Sequence, residues 1–202
     1  MSKSSELNID PVELTRKSLE VAKIKRFYKD VTVSECDGGF TILLDGRGVK
    51  TPAKAPLVVA SQEVADLIGE EWKAQDKHVL PHTMPVTRLI NVSIDNISAN
   101  RDSVIGDVSA FAGSDLLCYR AEEPIELIDL QAEHWDDVLD WIRDELDAPF
   151  EAASGVMHVP QPDSSLKKIR QHIEKMDNLS LSAVASMTNL MGSVFLTLAV
   201  VR

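Results

Sequence analysis

Residues 114–146 read SDLLCYRAEEPIELIDLQAEHWDDVLDWIRDEL, and the rest of the chain is best understood from this stretch. It begins with a tight, turn-like run, Asp115-Leu116-Leu117-Cys118-Tyr119-Arg120, and continues as the clearest helix in the sequence. Trp135, Val138, Leu139, Ile142 and Leu146 recur at steps of three and four, and Leu127, Ile128 and Gln131 carry the stripe backwards. The opposite face carries Asp129, Glu133, Asp136, Asp137, Asp140 and Asp144. One face is suited to a core; the other is a strip of negative charge with little nearby to neutralise it.

On either side of this stretch, everything after Pro85 reads as helix. Val86, Leu89, Ile90, Ile94 and Ile97 mark one helix, and Val104, Ile105, Val108, Phe111 and Ala112 a second that ends near Gly113. Pro149, Gly155, Pro160 and Pro162 bracket an extended loop containing Val156-Met157-His158-Val159. Asp163 or Ser164 opens a short charged helix with Leu166, Ile169, Ile173 and Met176 on one side. Between Asp177 and Arg202 there is no charged residue, so by length alone this run spans a bilayer. Its Asn, Ser and Thr residues and the central Gly192 are too polar for lipid, and it is expected to be a helix buried inside a soluble bundle. Five or six helices without a strand period predict a helical-bundle domain over residues 85–202.

Upstream the period changes to two. Residues 28–35 form a strand, Cys36-Asp37-Gly38-Gly39 a hairpin turn and Phe40-Thr41-Ile42-Leu43-Leu44 the return strand. A turn at Asp45-Gly46-Arg47-Gly48 and short strands at Val49-Lys50-Thr51 and Leu57-Val58-Val59-Ala60 complete an antiparallel meander. Ser61 caps a helix to about Gln75 whose Val64, Leu67, Ile68 and Trp72 cover the sheet, with Trp72 as a core anchor. Residues 26–84 therefore predict an α+β domain, ending in an extended connector at residues 79–85 that Pro81 and Pro85 stiffen. Asp10-Pro11 starts an expected N-terminal helix within an arm of residues 1–25. The fold class is α+β: a small antiparallel meander with a covering helix, followed by an all-α bundle.

Charge and composition limit the function. The net charge of −11 excludes a nucleic-acid partner, whose phosphates need a basic face. The acid is concentrated: residues 122–151 hold 12 carboxylates and one base, Arg143. Such a strip either selects a basic partner surface or keeps a solvated face soluble. Cys36 and Cys118 are far apart, as expected of free thiols in a reducing compartment, and the N-terminus has no apolar leader. No phosphate loop or zinc spacing is present, and Pro81 keeps His78 and His82 off a common helical face. A thiol enzyme would need Cys118 beside His134, His158 or His172, yet Leu116-Leu117-Cys118-Tyr119 is the setting of a buried, inert thiol. Trp72, Trp135 and Cys118 are read as structural. The residues assemble no catalytic constellation, metal site or cofactor site, which points to a binding protein. The competing readings are a small cytoplasmic enzyme using Cys118 and a tail-anchored membrane protein.

Three runs then acquire a meaning together: Glu71-Trp72-Lys73-Ala74-Gln75; Met84-Pro85-Val86-Thr87-Arg88-Leu89-Ile90-Asn91 with Asp95; and Ser114 to Ala121 followed by Gln131 and His134-Trp135-Asp136. From about Arg26 to its end the chain resembles the assembly chaperones of the ATP synthase catalytic sector that handle the alpha subunit, a mitochondrial and alphaproteobacterial family. The resemblance implies an α+β domain followed by an orthogonal helical bundle, no enzymatic activity and no cofactor. It implies a chaperone that holds newly made alpha subunit and prevents its aggregation before assembly with beta. It also implies a bacterial cytoplasmic or mitochondrial matrix location, and a further C-terminal helix with an acidic segment that this sequence does not contain. Charge, rather than the resemblance, nominates Glu133, Asp136, Asp137, Asp140 and Asp144 as contacts to basic patches on alpha. The free protein is expected to be a monomer without stable membrane insertion.

Overall fold

In the computed structural model, residues 24–202 are described, so most of the helix expected to open at Asp10-Pro11 lies outside them. Ile24 and Lys25, expected to end that helix, instead form a short strand, β1 (Ile24–Lys25). The chain divides into two units, Met1–Val49 with Val58–Thr87, and Lys50–Leu57 with Arg88–Arg202. The fold class is α+β.

In the first unit, β2 (Val31–Cys36) and β3 (Gly39–Leu44) pair antiparallel from Val31↔Leu44 to Cys36↔Gly39. Their turn needs glycine: Gly39 has φ 137°, and a Cβ there would lie 2.2 Å from the carbonyl oxygen of Val59. β4 (Arg47–Gly48) and β5 (Val58–Val59) both pair with β3. The covering helix is α1 (Gln62–Lys73), and the Ser61 hydroxyl accepts from the Val64 amide at its start. Its inward face turns slightly from the expected one. Ala65, Ile68 and Gly69 are buried and Leu67 is exposed, because the small residues let the helix lie close to Val33 on β2. Trp72, half-buried, packs edge-to-face on Tyr28 at 5.5 Å.

The stretch expected to be an extended connector is structured. β6 (His78–Val79) pairs antiparallel with β1, and a 3₁₀ turn follows at Pro81–Thr83. The buried Gln75 amide holds it, donating to Thr83 Oγ1 (3.1 Å) and accepting from the Leu80 amide (2.8 Å). The Glu71 carboxylate accepts from the amides of Val86 (2.7 Å) and Thr87 (2.8 Å), at the start of α2 (Pro85–Val92). These are donors that a helix leaves unsatisfied at its N-terminus.

In the second unit the two separate helices expected over residues 86–112 run nearly into each other. A π-helical turn, Ser93–Ile97, joins α2 to α3 (Ser98–Ala110), and within α3 only Asn100 leaves helical angles. Asp95 in that turn accepts from Thr51 Oγ1 (2.5 Å) and the Ala53 amide (3.0 Å), which ties down residues 50–57. Then come a 3₁₀ turn at Leu116–Cys118, β7 (Tyr119–Arg120), α4 (Ile125–Leu146), β8 (Ala153–Ser154) and α5 (Asp163–Glu174). β7 and β8 form a two-residue parallel ladder in a region expected to be free of strands; a pair that short carries no readable period.

The uncharged C-terminal run is two helices, α6 (Asn178–Met191) and α7 (Val194–Val200), instead of one. Gly192 breaks them with φ 67°, and its amide bonds back to the Thr188 carbonyl at 2.8 Å. The polar residues that argued against lipid pair internally: Thr188 with Thr197 (3.2 Å), and Thr197 with the Ser193 carbonyl (2.8 Å). Among the described residues, no helix is long and apolar enough to cross a membrane. Ile105, Val108, Ile142, Ile169, Ile173, Leu181 and Phe195 converge on the core of this unit.

Candidate partner-binding face

The turn before α4 is an internal clamp. Asp115 is fully buried, a costly position for a carboxylate unless donors surround it. It accepts from the amides of Leu117 (3.1 Å), Val194 (2.8 Å) and Phe195 (3.2 Å), and from the Ser193 hydroxyl (2.8 Å). One side chain thus caps both the 3₁₀ turn and α7. Burial pushes the Asp115 carboxyl above its ordinary value, against the pull of these donors.

Arg120 ties the same turn to the side of α4. Its guanidinium donates to the carbonyls of Leu117 (2.9 Å) and Gln131 (3.1 Å) and lies over the Trp135 ring at 5.4 Å. Its remaining nitrogen stands 2.8 Å from Asp136 Oδ1, an ion pair without hydrogen-bond alignment. Gln131 returns the link by accepting from the Ala121 amide at 2.8 Å. The expected stripe therefore divides: Ile142 is buried, Trp135, Val138, Leu139 and Leu146 are half-buried, and Leu127 is exposed.

Glu133, Asp136, Asp137, Asp140 and Asp144 all lie exposed along α4. The expectation that little neutralises them needs correction. Arg143 bridges Asp140 (2.5 Å) and Asp144 (2.8 Å), and Arg120 reaches Asp136 from a turn whose proximity the sequence does not reveal. The Arg143 hydrogen bond holds the Asp144 carboxyl below its ordinary value. Glu133 and Asp137 have no ion pair among the described residues. A cavity of about 240 Å³ opens beside the strip, lined by Asp136, Leu139, Asp140, Arg143, Pro149 and Phe150.

The thiol reading fails on geometry. Cys118 is buried, and burial, followed by the negative charge of Asp115, pushes its pKa up to about 12, so almost no thiolate exists near neutral pH. Among the described residues no hydrogen bond joins it to a histidine; His158 faces the Tyr119 hydroxyl at 3.0 Å instead. No group of three or more His, Cys, Asp or Glu residues among those described is arranged to hold a metal ion.

The family described as "ATP12 chaperone protein" matches residues 25–143, more than half of the chain, including the turn at Asp115–Arg120 and most of α4. The chain belongs to that family. ATP12 proteins are chaperones and not enzymes, in keeping with the inert Cys118. The mitochondrial protein atp12 of Schizosaccharomyces pombe is 24% identical over 171 residues, which cover 79% of this chain. The chain spans 59% of that relative's length. The crystal structure of Atp12 from Paracoccus denitrificans is similar with a TM-score of 0.86 and 38% identity, covering 89% of this chain and 77% of the other. A chaperone candidate from Agrobacterium tumefaciens is similar with a TM-score of 0.84 and 44% identity, covering 94% and 72%. The shared fold reaches well beyond residues 25–143 in both cases.

Proposed function

We propose that this protein binds newly made alpha subunit of the ATP synthase catalytic sector and keeps it from aggregating until the beta subunit arrives. Membership of the ATP12 chaperone family carries this reading. The acidic face of α4, with Glu133, Asp136, Asp137, Asp140 and Asp144, serves as the contact to basic patches on alpha, and its exposure favours that role. Glu133 and Asp137 are the freest to engage, since Asp136, Asp140 and Asp144 already meet arginines. The work takes place in the bacterial cytoplasm, or in the matrix if the source is eukaryotic, with the free chaperone monomeric. Binding needs no cofactor; release follows when beta offers alpha a better surface.

Co-expression with the alpha subunit of the same ATP synthase tests this. Soluble alpha that co-purifies with the chain only when both are made supports the proposal. Alpha that aggregates equally with and without the folded chain refutes it.

A further inference from the structure

At the opposite end of α4 from the Arg143 pairs, a second cavity of about 330 Å³ is lined by Tyr119, Glu122, Glu123, Gln131, Gly155 and Val156, among others. The loop beside it is held in place from both sides. The β7–β8 ladder fixes Ala153 and Ser154, the Gly155 amide donates to the Arg120 carbonyl at 2.8 Å, and His158 meets the Tyr119 hydroxyl at 3.0 Å. Gly155 has φ 84°, a conformation that turns the next two residues outward. The tip presents Val156 and Met157, 94% and 78% exposed, where a folded chain gains nothing from apolar side chains. Glu122 and Glu123, which line the cavity, have no ion pair among the described residues, and Arg120, which also lines it, is committed to Leu117, Gln131 and Asp136.

We propose that this cavity and the Val156-Met157 tip dock a partner segment in which a Lys or Arg side chain is followed by an apolar one. The cation would enter among the carboxylates, and the apolar residue would cover the tip. The inference rests on the chaperone reading and specifies the kind of client segment held. A cation on the partner is favoured because the rim holds unpaired negative charge, while Arg120, the base that lines it, is already engaged by Asp136 and two carbonyls.

The test titrates the full chain with a short labelled peptide of alternating Lys and Leu and with its Glu–Leu counterpart. The wild type should prefer the Lys–Leu peptide. Val156→Ser with Met157→Ser, and separately Glu122→Lys with Glu123→Lys, should each weaken that binding about tenfold. These positions are exposed, so circular dichroism should show both variants folded. Equal affinity of wild type and variants, or a preference for the Glu–Leu peptide, overturns the proposal. So does a wild-type dimer that the Ser variants abolish, since the tip would then serve a second copy. If the peptide preference holds while alpha is not captured on co-expression, the docking surface stands and the client assignment falls. If alpha is captured equally by wild type and variants, the assignment stands and this surface falls.

Discussion

The two halves of α4 differ in what their side chains touch. From Trp135 onward the apolar residues pack into the core around the fully buried Ile142, and the acids at Asp136, Asp140 and Asp144 each meet an arginine. Before Trp135 the apolar residues Ile125, Leu127 and Leu130 are 61%, 41% and 52% exposed, and Glu126 and Glu133 stand unpaired among the described residues. The same helix is structural at one end and unsatisfied at the other. An apolar partner surface is therefore to be sought at the first half, because internal packing already uses the apolar face of the second, whose acids stay exposed.

Truncating one apolar side chain at each end separates the halves most strongly. Ile142→Ala should destabilise the protein by about 3 kcal/mol, through lost burial and a residual cavity, while Leu130→Ala should stay within about 0.5 kcal/mol. Urea unfolding of both variants measures the difference; equal effects would mean that the halves are not distinct.

Next in size is the clamp. Asp115→Ala should cost about 2–3 kcal/mol, since it strands the amides of Leu117, Val194 and Phe195. The pH dependence has a definite sign. Burial raises the Asp115 carboxyl from 3.8, so its stabilising contribution is full below that value and declines as pH rises through the higher folded value. The stability advantage of the wild type over Asp115→Asn should therefore shrink across that interval. Growth of the advantage with pH would show that the donors outweigh burial.

A smaller loss, about 1–2 kcal/mol, is expected for Arg120→Ala, which removes two carbonyl bonds and the Trp135 contact while freeing Asp136. The smallest effect on stability is expected where the effect on binding should be largest. Glu133→Lys with Asp137→Lys should leave stability within about 0.5 kcal/mol, since neither acid has an ion pair among the described residues. The pair should weaken alpha binding and flatten its salt dependence. Reversing Asp136 and Asp140 is a less clean test, because the Asp136→Lys change would set a second cation against Arg120.

Much of the architecture is legible in the sequence for identifiable reasons. Gly38-Gly39 between alternating runs marks the β2–β3 hairpin, Ser61 marks the start of α1, and the Trp135–Leu146 spacing marks the buried half of α4. What escapes are features set by contacts distant in sequence. Leu127 fits the periodic stripe, yet it is left exposed on that part of the helix. Asp115 reads as an ordinary turn residue until α7, almost eighty positions later, supplies its donors. Gly192-Ser193 does carry a local signal, a left-handed stop followed by a serine cap, and a reading weighted toward apolar length passes over it. The binding face is approachable from sequence only as charge. Which acids are already neutralised depends on Arg120, whose reach to Asp136 no spacing announces.

Hydrogen exchange of the chain, alone and in complex with the alpha subunit, asks directly whether the first half of α4 and the neighbouring loop meet the partner. Added protection is expected in residues 125–137 and 153–158, with little change in α5 or the β2–β3 hairpin. Protection confined to the first unit or to α5, with the beginning of α4 unchanged, would contradict this assignment.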